Sequence, residues 1–322
     1  MMVPCATGSA SETRNGSSNS AALPKPVAHF QSISEARVLK TVQTIEDLRA
    51  EVRSARAAEK KIGCVPTMGA LHDGHISLVE AARKQTDFVV VTIFVNPTQF
   101  APNEDLSKYP RPLEDDLRKC ETAGVNLVFN PDAETVYPGD NAAFVEVPRS
   151  STTLEGAHRP SHFRGVTTIV LKLFNMVLPD IAFFGQKDYQ QQLLIRHMVN
   201  DLNVPVEIRT CPTVREADGL AMSSRNSYLS DSDRQTALAL SQALKLAHDT
   251  CTSGGKSPAE ARQAMLDHLA QFPEAKLDYA VIADANTLTE VEHAAPEMVA
   301  LIAAKVGSTR LIDNMLISRR KI

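Results

Sequence analysis

With 322 residues, 43% of them hydrophobic, the chain can bury a sizeable core and exceeds the usual single-domain range, so two domains are expected. A net charge of -4, from 34 basic and 38 acidic residues, supplies no basic field for a phosphate backbone and argues against nucleic acid as a partner. The five cysteines (Cys5, Cys64, Cys120, Cys211 and Cys251) are scattered without a CxxC pair, which fits a reducing cytoplasmic setting rather than a disulfide-stapled secreted domain.

Residues 1–37, rich in Ser, Ala, Asn and Gly, lack the apolar periodicity that could offset the entropy of ordering them, and a disordered tail is expected there. The tail has no apolar core of a secretory signal. Glu12 is its only acid before Glu35, as in a transit peptide, but Arg14 is its only arginine before Arg37, and a plain tail is the preferred reading.

From Thr44, with Asp47 as a capping partner, the spacing of Ile45, Leu48 and Val52 predicts a helix to about Lys60. Apolar runs then alternate with amphipathic stretches: strand Ile62 to Pro66, helix Gly74 to Gln85, strand Phe88 to Val95, helix Leu113 to Ala123 and strand Val125 to Phe129. The run "DFVVVTIFVN" has no polar alternation, as expected of a parallel strand covered on both faces. Helix Val166 to Leu178 follows, with Val166, Ile169, Val170, Leu173, Phe174 and Val177 on one stripe, then strand Ile181 to Phe184 and a helix from about Lys187 to Leu202. Val166 to Leu178, the most apolar stretch, is interrupted by Lys172 and Asn175 and falls short of the roughly 20 residues that cross a bilayer, so no membrane span is expected. These elements describe a doubly wound α/β domain over residues 38–213. Two helices (about Asp231 to Thr250 and Ser257 to Phe272) and the runs Leu277 to Ala283, Met298 to Val306 and Arg310 to Ile317 then give a smaller α+β lid domain over residues 214–322.

Three polar islands sit where strands end: "PTMGALHDGH", "NPTQF" and "FGQKDYQQ". Ligands of open α/β sheets bind beyond the carboxyl ends of the strands, so the islands should meet in one crevice. In the first, Gly69 and Gly74 permit tight backbone at a helix start flanked by His72 and His75, a natural place for an anion such as phosphate. The alternative is that the histidines only cap the helix. Zinc would need a third ligand, and the island offers only Asp73. After Gly185, Lys187 suits a phosphate and Asp188 a ribose, against the alternative of a solvated charge pair. "GLAMSSRNSYLS" brings two hydroxyls and Arg225, suited to pyrophosphate, or is an ordinary polar linker. There is no P-loop, no G-x-G-x-x-G and no G-x-S-x-G elbow.

The H-x-G-H form at His72 to His75, with the later Met222 to Arg225 loop, resembles the nucleotidyl-transferase superfamily. Together "PTMGALHDGH", "FVNPTQF", "YPRPLEDD", "HRPSHFRGV", "FFGQKDYQQ" and "GLAMSSRN" resemble, in order and over nearly all of residues 38–322, the pantoate-β-alanine ligases. The resemblance implies a Rossmann-like sheet and ATP-dependent joining of pantoate to β-alanine through a pantoyl adenylate. Pro66, Thr67, Met68, Gly69, His72 and His75 would hold ATP phosphates, and Lys187, Ser223, Ser224 and Arg225 would join them. By the same resemblance His75, His72, Lys187 and Arg225 are the catalytic candidates. Gly185 and Asp188 would take the ribose, and Val214 and Met222 would border adenine. Gln99 and Gln191 would bind pantoate, with Asn96, Tyr109, Arg159 and His162 lining or closing the pocket. Mg2+ riding mainly on ATP phosphates, with Asp115 and Asp116 as nearby candidates, and a homodimer are also implied. The rival expectations are another nucleotidyl transferase on the same scaffold, or a nucleotide-binding module without turnover.

Overall fold

Strand runs without polar alternation need cover on both faces, and the fold provides it. The structure, a computed structural model, describes residues 39–102, 104, 106–139 and 143–318; the expected tail lies outside them. In chain order the first part comprises β1 (Lys40–Val42), α1 (Ile45–Ala57), β2 (Ile62–Thr67), α2 (Asp73–Arg83), β3 (Phe88–Ile93), a 3-10 turn (Pro97–Gln99), α3 (Leu113–Thr122) and β4 (Leu127–Phe129). Three short helices, α4 (Ala133–Val136), α5 (Pro148–Ser151) and α6 (Glu155–His158), precede α7 (His162–Val177), β5 (Ile181–Gly185), α8 (Tyr189–Asp201) and β6 (Glu207–Cys211).

The six strands form one parallel sheet in the order β1-β4-β3-β2-β5-β6. From β2 the chain winds through β3 to β4 on one side, then returns past β2 to place β5 and β6 on the other. The direction of winding reverses between β2 and β5, and such a reversal leaves a crevice at the carboxyl ends of those two strands. Alternate strand residues feed two cores. Ile62, Cys64, Val90, Ala182 and Phe184 pack with α1 and α7 on one face. Val65, Val89, Val91, Ile181 and Phe183 pack with Leu78, Val79 and Ala82 of α2 on the other.

Two of these strands were not expected from sequence. Both β1 and β6 lie at the sheet edges, and β6 exposes Glu207, Arg209 and Thr210, so neither carries an apolar run. The helix expected from Val166 starts a turn earlier, at His162, and ends where Leu178 adopts a left-handed φ of 52°.

Beyond a 3-10 turn (Ser224–Tyr228), α9 (Asp231–Thr252) and α10 (Pro258–Leu269) cover one face of an antiparallel sheet of β7 (Ala275–Asp284), β8 (Glu297–Val306) and β9 (Thr309–Ser318), in that order. The opposite face packs Val281, Ala283, Val299 and Leu301 against Tyr189 and Leu193 of α8. The parallel sheet and the smaller sheet therefore share α8 as a common support.

A buried ion pair crosses the same junction. Glu155, 7% exposed, accepts hydrogen bonds from Arg310 Nη1 at 2.6 Å and Nη2 at 2.7 Å and from the Tyr279 hydroxyl at 2.8 Å. Burial pushes the Glu155 carboxyl upward, but the bonds and charge of Arg310 outweigh it and hold the group below its ordinary value of 4.5. Stability from this pair is therefore complete above pH 4.5 and is lost as pH falls through the lower folded-state value. Removing one partner of such a pair strands the other, so Glu155→Ala should cost about 3 kcal/mol near neutral pH, with a smaller difference from wild type in acid. Urea unfolding as a function of pH reads both, and a cost that does not shrink on acidification would reject the ion pair as its source.

Candidate active site

Met68 follows the last residue of β2, and the chain then turns sharply into α2. Gly69 has φ +82° and Ala70 φ +51°, and a Cβ on Gly69 would stand 2.9 Å from Asp116 Oδ2. Asp116, on α3 and 1% exposed, accepts the backbone N–H of Ala70 at 2.9 Å and of Leu71 at 2.7 Å. Its oxygens are committed to shaping this turn, while Asp115 lies on the exposed face of α3 paired with Arg118. The structure thus brings neither carboxylate to the cavity that the histidines of α2 line. Gly69 also stays outside that cavity: its contribution is the turn itself.

At the N-terminus of α2 both histidines cap the helix, the alternative considered from the sequence, and both also line a cavity. His72 is the N-cap: its Nδ1 accepts from the Gly74 N–H at 3.2 Å, and His75 Nδ1 accepts from the His72 N–H at 3.3 Å, a reciprocal capping box. Burial, with the Lys187 charge next, pulls His72 down to about 4; burial, with His72 next, pulls His75 down to about 3. Both rings are neutral at physiological pH, and because each Nδ1 accepts a hydrogen bond, each Nε2 carries the proton. Each imidazole is therefore an uncharged N–H donor whose orientation is fixed by the helix it caps. The ring centroids lie 4.1 Å apart, and both rings line one cavity.

That cavity, of about 230 Å3, occupies the crevice between β2 and β5. Pro66, Thr67 and Met68 reach it from β2 and its turn, and Asn96 and Gln99 from the turn after β3. Asn96 is held by the Tyr137 hydroxyl, which donates to its Oδ1 at 2.8 Å, and its Nδ2 donates to Gln99 Oε1 at 3.1 Å and to the Gly165 carbonyl at 3.2 Å. Gly165 is required there, since a Cβ would sit 2.4 Å from the Thr98 carbonyl oxygen. Tyr109, Arg159 and His162 close this end. His162 Nε2 faces the Arg159 guanidinium at 3.1 Å and must accept, so its Nδ1 donates to the Gln99 carbonyl at 2.9 Å. Burial and the Arg159 charge lower its pKa to about 4, in keeping with a neutral ring. Arg159 in turn makes a two-pronged pair with Glu104, at 2.6 and 2.8 Å, so its donors are engaged across the mouth of the cavity.

On the opposite wall stand Gly185, Lys187, Asp188 and Gln191, from β5 and the start of α8. A Cβ on Gly185 would meet nothing within 4 Å, so backbone there is open to a ligand. Val214, Met222, Ser223, Ser224 and Arg225 complete the rim, with Ser223 Oγ capping its 3-10 turn through the Arg225 N–H at 3.3 Å. A second hollow of about 780 Å3 shares Arg159, Lys187, Asp188, Ser223 and Arg225 and opens towards β9. The sequence reading missed the apolar wall. Val166, Ile169, Val170 and Leu173 were read only as the core stripe of α7, but they also line the cavity, together with Phe94 and Phe184. A stripe wider than its neighbours need is the only signal the sequence offered for that double use.

The family model for pantoate-beta-alanine ligase matches residues 40–316. Over 279 residues the chain is 52% identical to the pantothenate synthetase of Moorella thermoacetica, an alignment covering 87% of this chain and 99% of that protein. It is 49% identical to the pantothenate synthetase of Thermotoga neapolitana, covering 87% and 100%. The crystal structure of pantothenate synthetase from Thermus thermophilus superposes with a TM-score of 0.82 at 45% identity, over 86% of this chain and 98% of that one. A pantoate-beta-alanine ligase from Francisella tularensis, complexed with "Beta-gamma ATP" and β-alanine, superposes with a TM-score of 0.71 at 34% identity, over 87% and 98%. Similarity of that extent, in sequence and in fold alike, means that the chain belongs to the pantoate-β-alanine ligase family.

Proposed function

We propose that this ligase works in two steps within the one cavity. In the first, a pantoate carboxylate oxygen attacks the α-phosphorus of ATP, and the bond to the bridging oxygen breaks as pyrophosphate leaves with its electron pair. In the second, the amine of β-alanine attacks the acyl carbon of pantoyl adenylate, AMP departs, and the nitrogen loses a proton as the amide forms. The observation that carries this reading is the meeting of two neutral histidine donors, a helix N-terminus and the Lys187 ammonium around one hollow.

Charge grows on the phosphoryl and leaving oxygens during adenylation, and donors already aimed there stabilise it without reorganising. His72 and His75 supply N–H groups free of proton bookkeeping, the first turn of α2 supplies its dipole, and Lys187 supplies full charge. Ser223, Ser224 and Arg225 are assigned to the departing pyrophosphate, Gly185 and Asp188 to the ribose, and Val214 and Met222 to adenine. The opposite end, with Gln99 and Gln191 as hydrogen-bond donors and the α7 wall as apolar backing, suits the polar head and dimethyl body of pantoate. Asn96, Tyr109, Arg159 and His162 support and close that end. Amine attack then needs mainly orientation, which can be worth roughly 7 to 11 kcal/mol, and calls for no nucleophilic Ser or Cys.

Mg2+ belongs to the same proposal: entering with ATP, it would supply charge neutralisation on the triphosphate. Among the described residues no group of three or more His, Cys, Asp or Glu is set to hold a metal, and Asp188 is the only carboxylate on the wall of the main cavity. That donor set fits an ion carried by the nucleotide's own oxygens. The division of labour between residues 38–213 and 214–322, and a homodimer in the cytoplasm, rest on the family resemblance. Among the described residues no helix is long and apolar enough to cross a membrane.

Mixing the protein with ATP, pantoate and β-alanine, and omitting each in turn, should give AMP and pantothenate only when all three are present; AMP formation that ignores pantoate would point to another nucleotidyl transferase. His75→Ala should remove about 2.7 to 4 kcal/mol of transition-state stabilisation, the cost of losing one donor to a developing oxyanion, read as kcat/KM in the full reaction. Near-normal turnover would reject that role. Lys187→Ala should impair pyrophosphate exchange far more than amine attack on supplied pantoyl adenylate, and equal losses in the two assays would argue against a phosphate contact.

A further inference from the structure

Lys187 lies two residues after β5 ends at Gly185, and the last bond from the chain to β6 runs from the Gln186 N–H to the Cys211 carbonyl at 2.8 Å. The carbonyls of Gln186 and Lys187 are both tied instead by one side chain of the smaller sheet. Asn314, on β9 and 1% exposed, donates from Nδ2 to the Gln186 oxygen at 2.9 Å and to the Lys187 oxygen at 2.8 Å, using both of its amide protons. Its Oδ1 accepts from Gln186 Nε2 at 3.2 Å. The whole side chain is spent on two successive residues, 127 and 128 positions away in sequence.

The neighbouring residue anchors this clamp. Asp313, 5% exposed, accepts the Asn314 N–H at 2.7 Å through Oδ1 and holds Arg215 with both oxygens, at 2.6 and 3.0 Å. Arg215 pairs as an isolated β-bridge with Ala221, and the Met222 N–H bonds to the Val214 carbonyl at 3.0 Å. One dipeptide of β9 thus holds the backbone beside Lys187 and, through Arg215, the bridged segment leading into Met222 to Arg225. Those two segments, contributed by distant parts of the chain, are the ones assigned to the phosphates.

We propose that Asn314 is a positioning residue for adenylation: by holding the Gln186 and Lys187 carbonyls it sets the direction in which Lys187 enters the cavity, and hence where its ammonium meets the nucleotide. This rests on the reading of Lys187 as a phosphate contact. A buried amide that donates to two carbonyls has no substitute of the same reach, because alanine leaves both acceptors unpaired and free to turn. A displacement of the order of 1 Å in a group that contacts the reacting phosphate is enough to cost about 100-fold.

The test is a double-mutant cycle in the full-length protein, read by pantoate-dependent exchange of labelled pyrophosphate into ATP and, separately, by amine attack on supplied pantoyl adenylate. Asn314→Ala should lower kcat for exchange by about 100-fold while KM for pantoate and the amine step stay near wild type. In a Lys187→Ala background the same substitution should cost little more, because the group it positions is gone. Losses that multiply across the two sites, equal losses in both half-reactions, or an Asn314→Ala enzyme with wild-type exchange would each overturn the proposal. Exchange unimpaired by Lys187→Ala alone would instead sink the phosphate reading on which the proposal rests. Should Asn314→Ala fail to fold, Asn314→Ser, which keeps one donor, takes its place in the cycle with an intermediate loss expected and the same outcomes overturning it.

Discussion

Parallel strands must be joined by crossovers, and a sheet that winds first one way and then the other leaves a single place where neighbouring strands send their chains to opposite faces. Here that place lies between β2 and β5. Both strands end there with their following segments diverging, one towards α2 and the other towards α8. The crevice is therefore a consequence of strand order before any side chain is considered. Helices that follow the strands also begin at this edge, so backbone N–H groups without intrahelical partners collect around it. An anionic ligand is favoured at this edge for reasons that precede the choice of residues. The sequence then supplies His72, His75 and Lys187 where the topology has already made a phosphate welcome.

The histidines show how little separates folding from chemistry at such an edge. Capping and transition-state stabilisation looked like competing readings of an HxxH pair, yet with two nitrogens on each ring the one does not exclude the other. Each Nδ1 is committed to a backbone N–H of the cap, which forces the proton onto Nε2. Burial keeps the rings uncharged, so they can donate without themselves changing protonation between pH 5 and 8. The cap is also the orienting device, and a substitution that spared the donor but lost the capping geometry would leave the N–H aimed at nothing.

Much of this was legible because it is local. The apolar runs of β2, β3 and β5, the stripe of α7 and the polar islands at strand ends are all properties of short windows, and windows that bury both faces of a strand are the clearest of all. The edge strands β1 and β6 were not legible, since a strand with one neighbour and an exposed face needs no apolar run. Asp116 stood in the carboxylate pair that ends "YPRPLEDD", and the resemblance made it a metal candidate; only the fold reveals that two backbone N–H groups of the Ala70–Leu71 turn, 45 and 46 residues away, occupy it. The bond between Arg159 and Glu104 was hidden for the same reason, spanning 55 residues. Sequence windows reveal which groups exist near a strand end, whereas the partner that consumes or aims each group is set by contacts that no window contains.

That distinction bears on what the smaller sheet is for. Its apolar faces are accounted for by α9 and α10 on one side and by Tyr189 and Leu193 of α8 on the other. Packing against α8 places β9 beside the start of the very helix that carries Asp188 and Gln191 into the cavity. Glu155 with Arg310 ties the same junction, with polar bonds where an apolar contact could have slid. A cover joined to the rest by flexible chain alone would leave the two segments assigned above to the phosphates to find their spacing anew on each encounter with a ligand. A cover bonded to the backbone of one and to the bridged segment leading into the other instead fixes that spacing in advance, and preorganisation of this kind is where a site without a covalent nucleophile must find its rate.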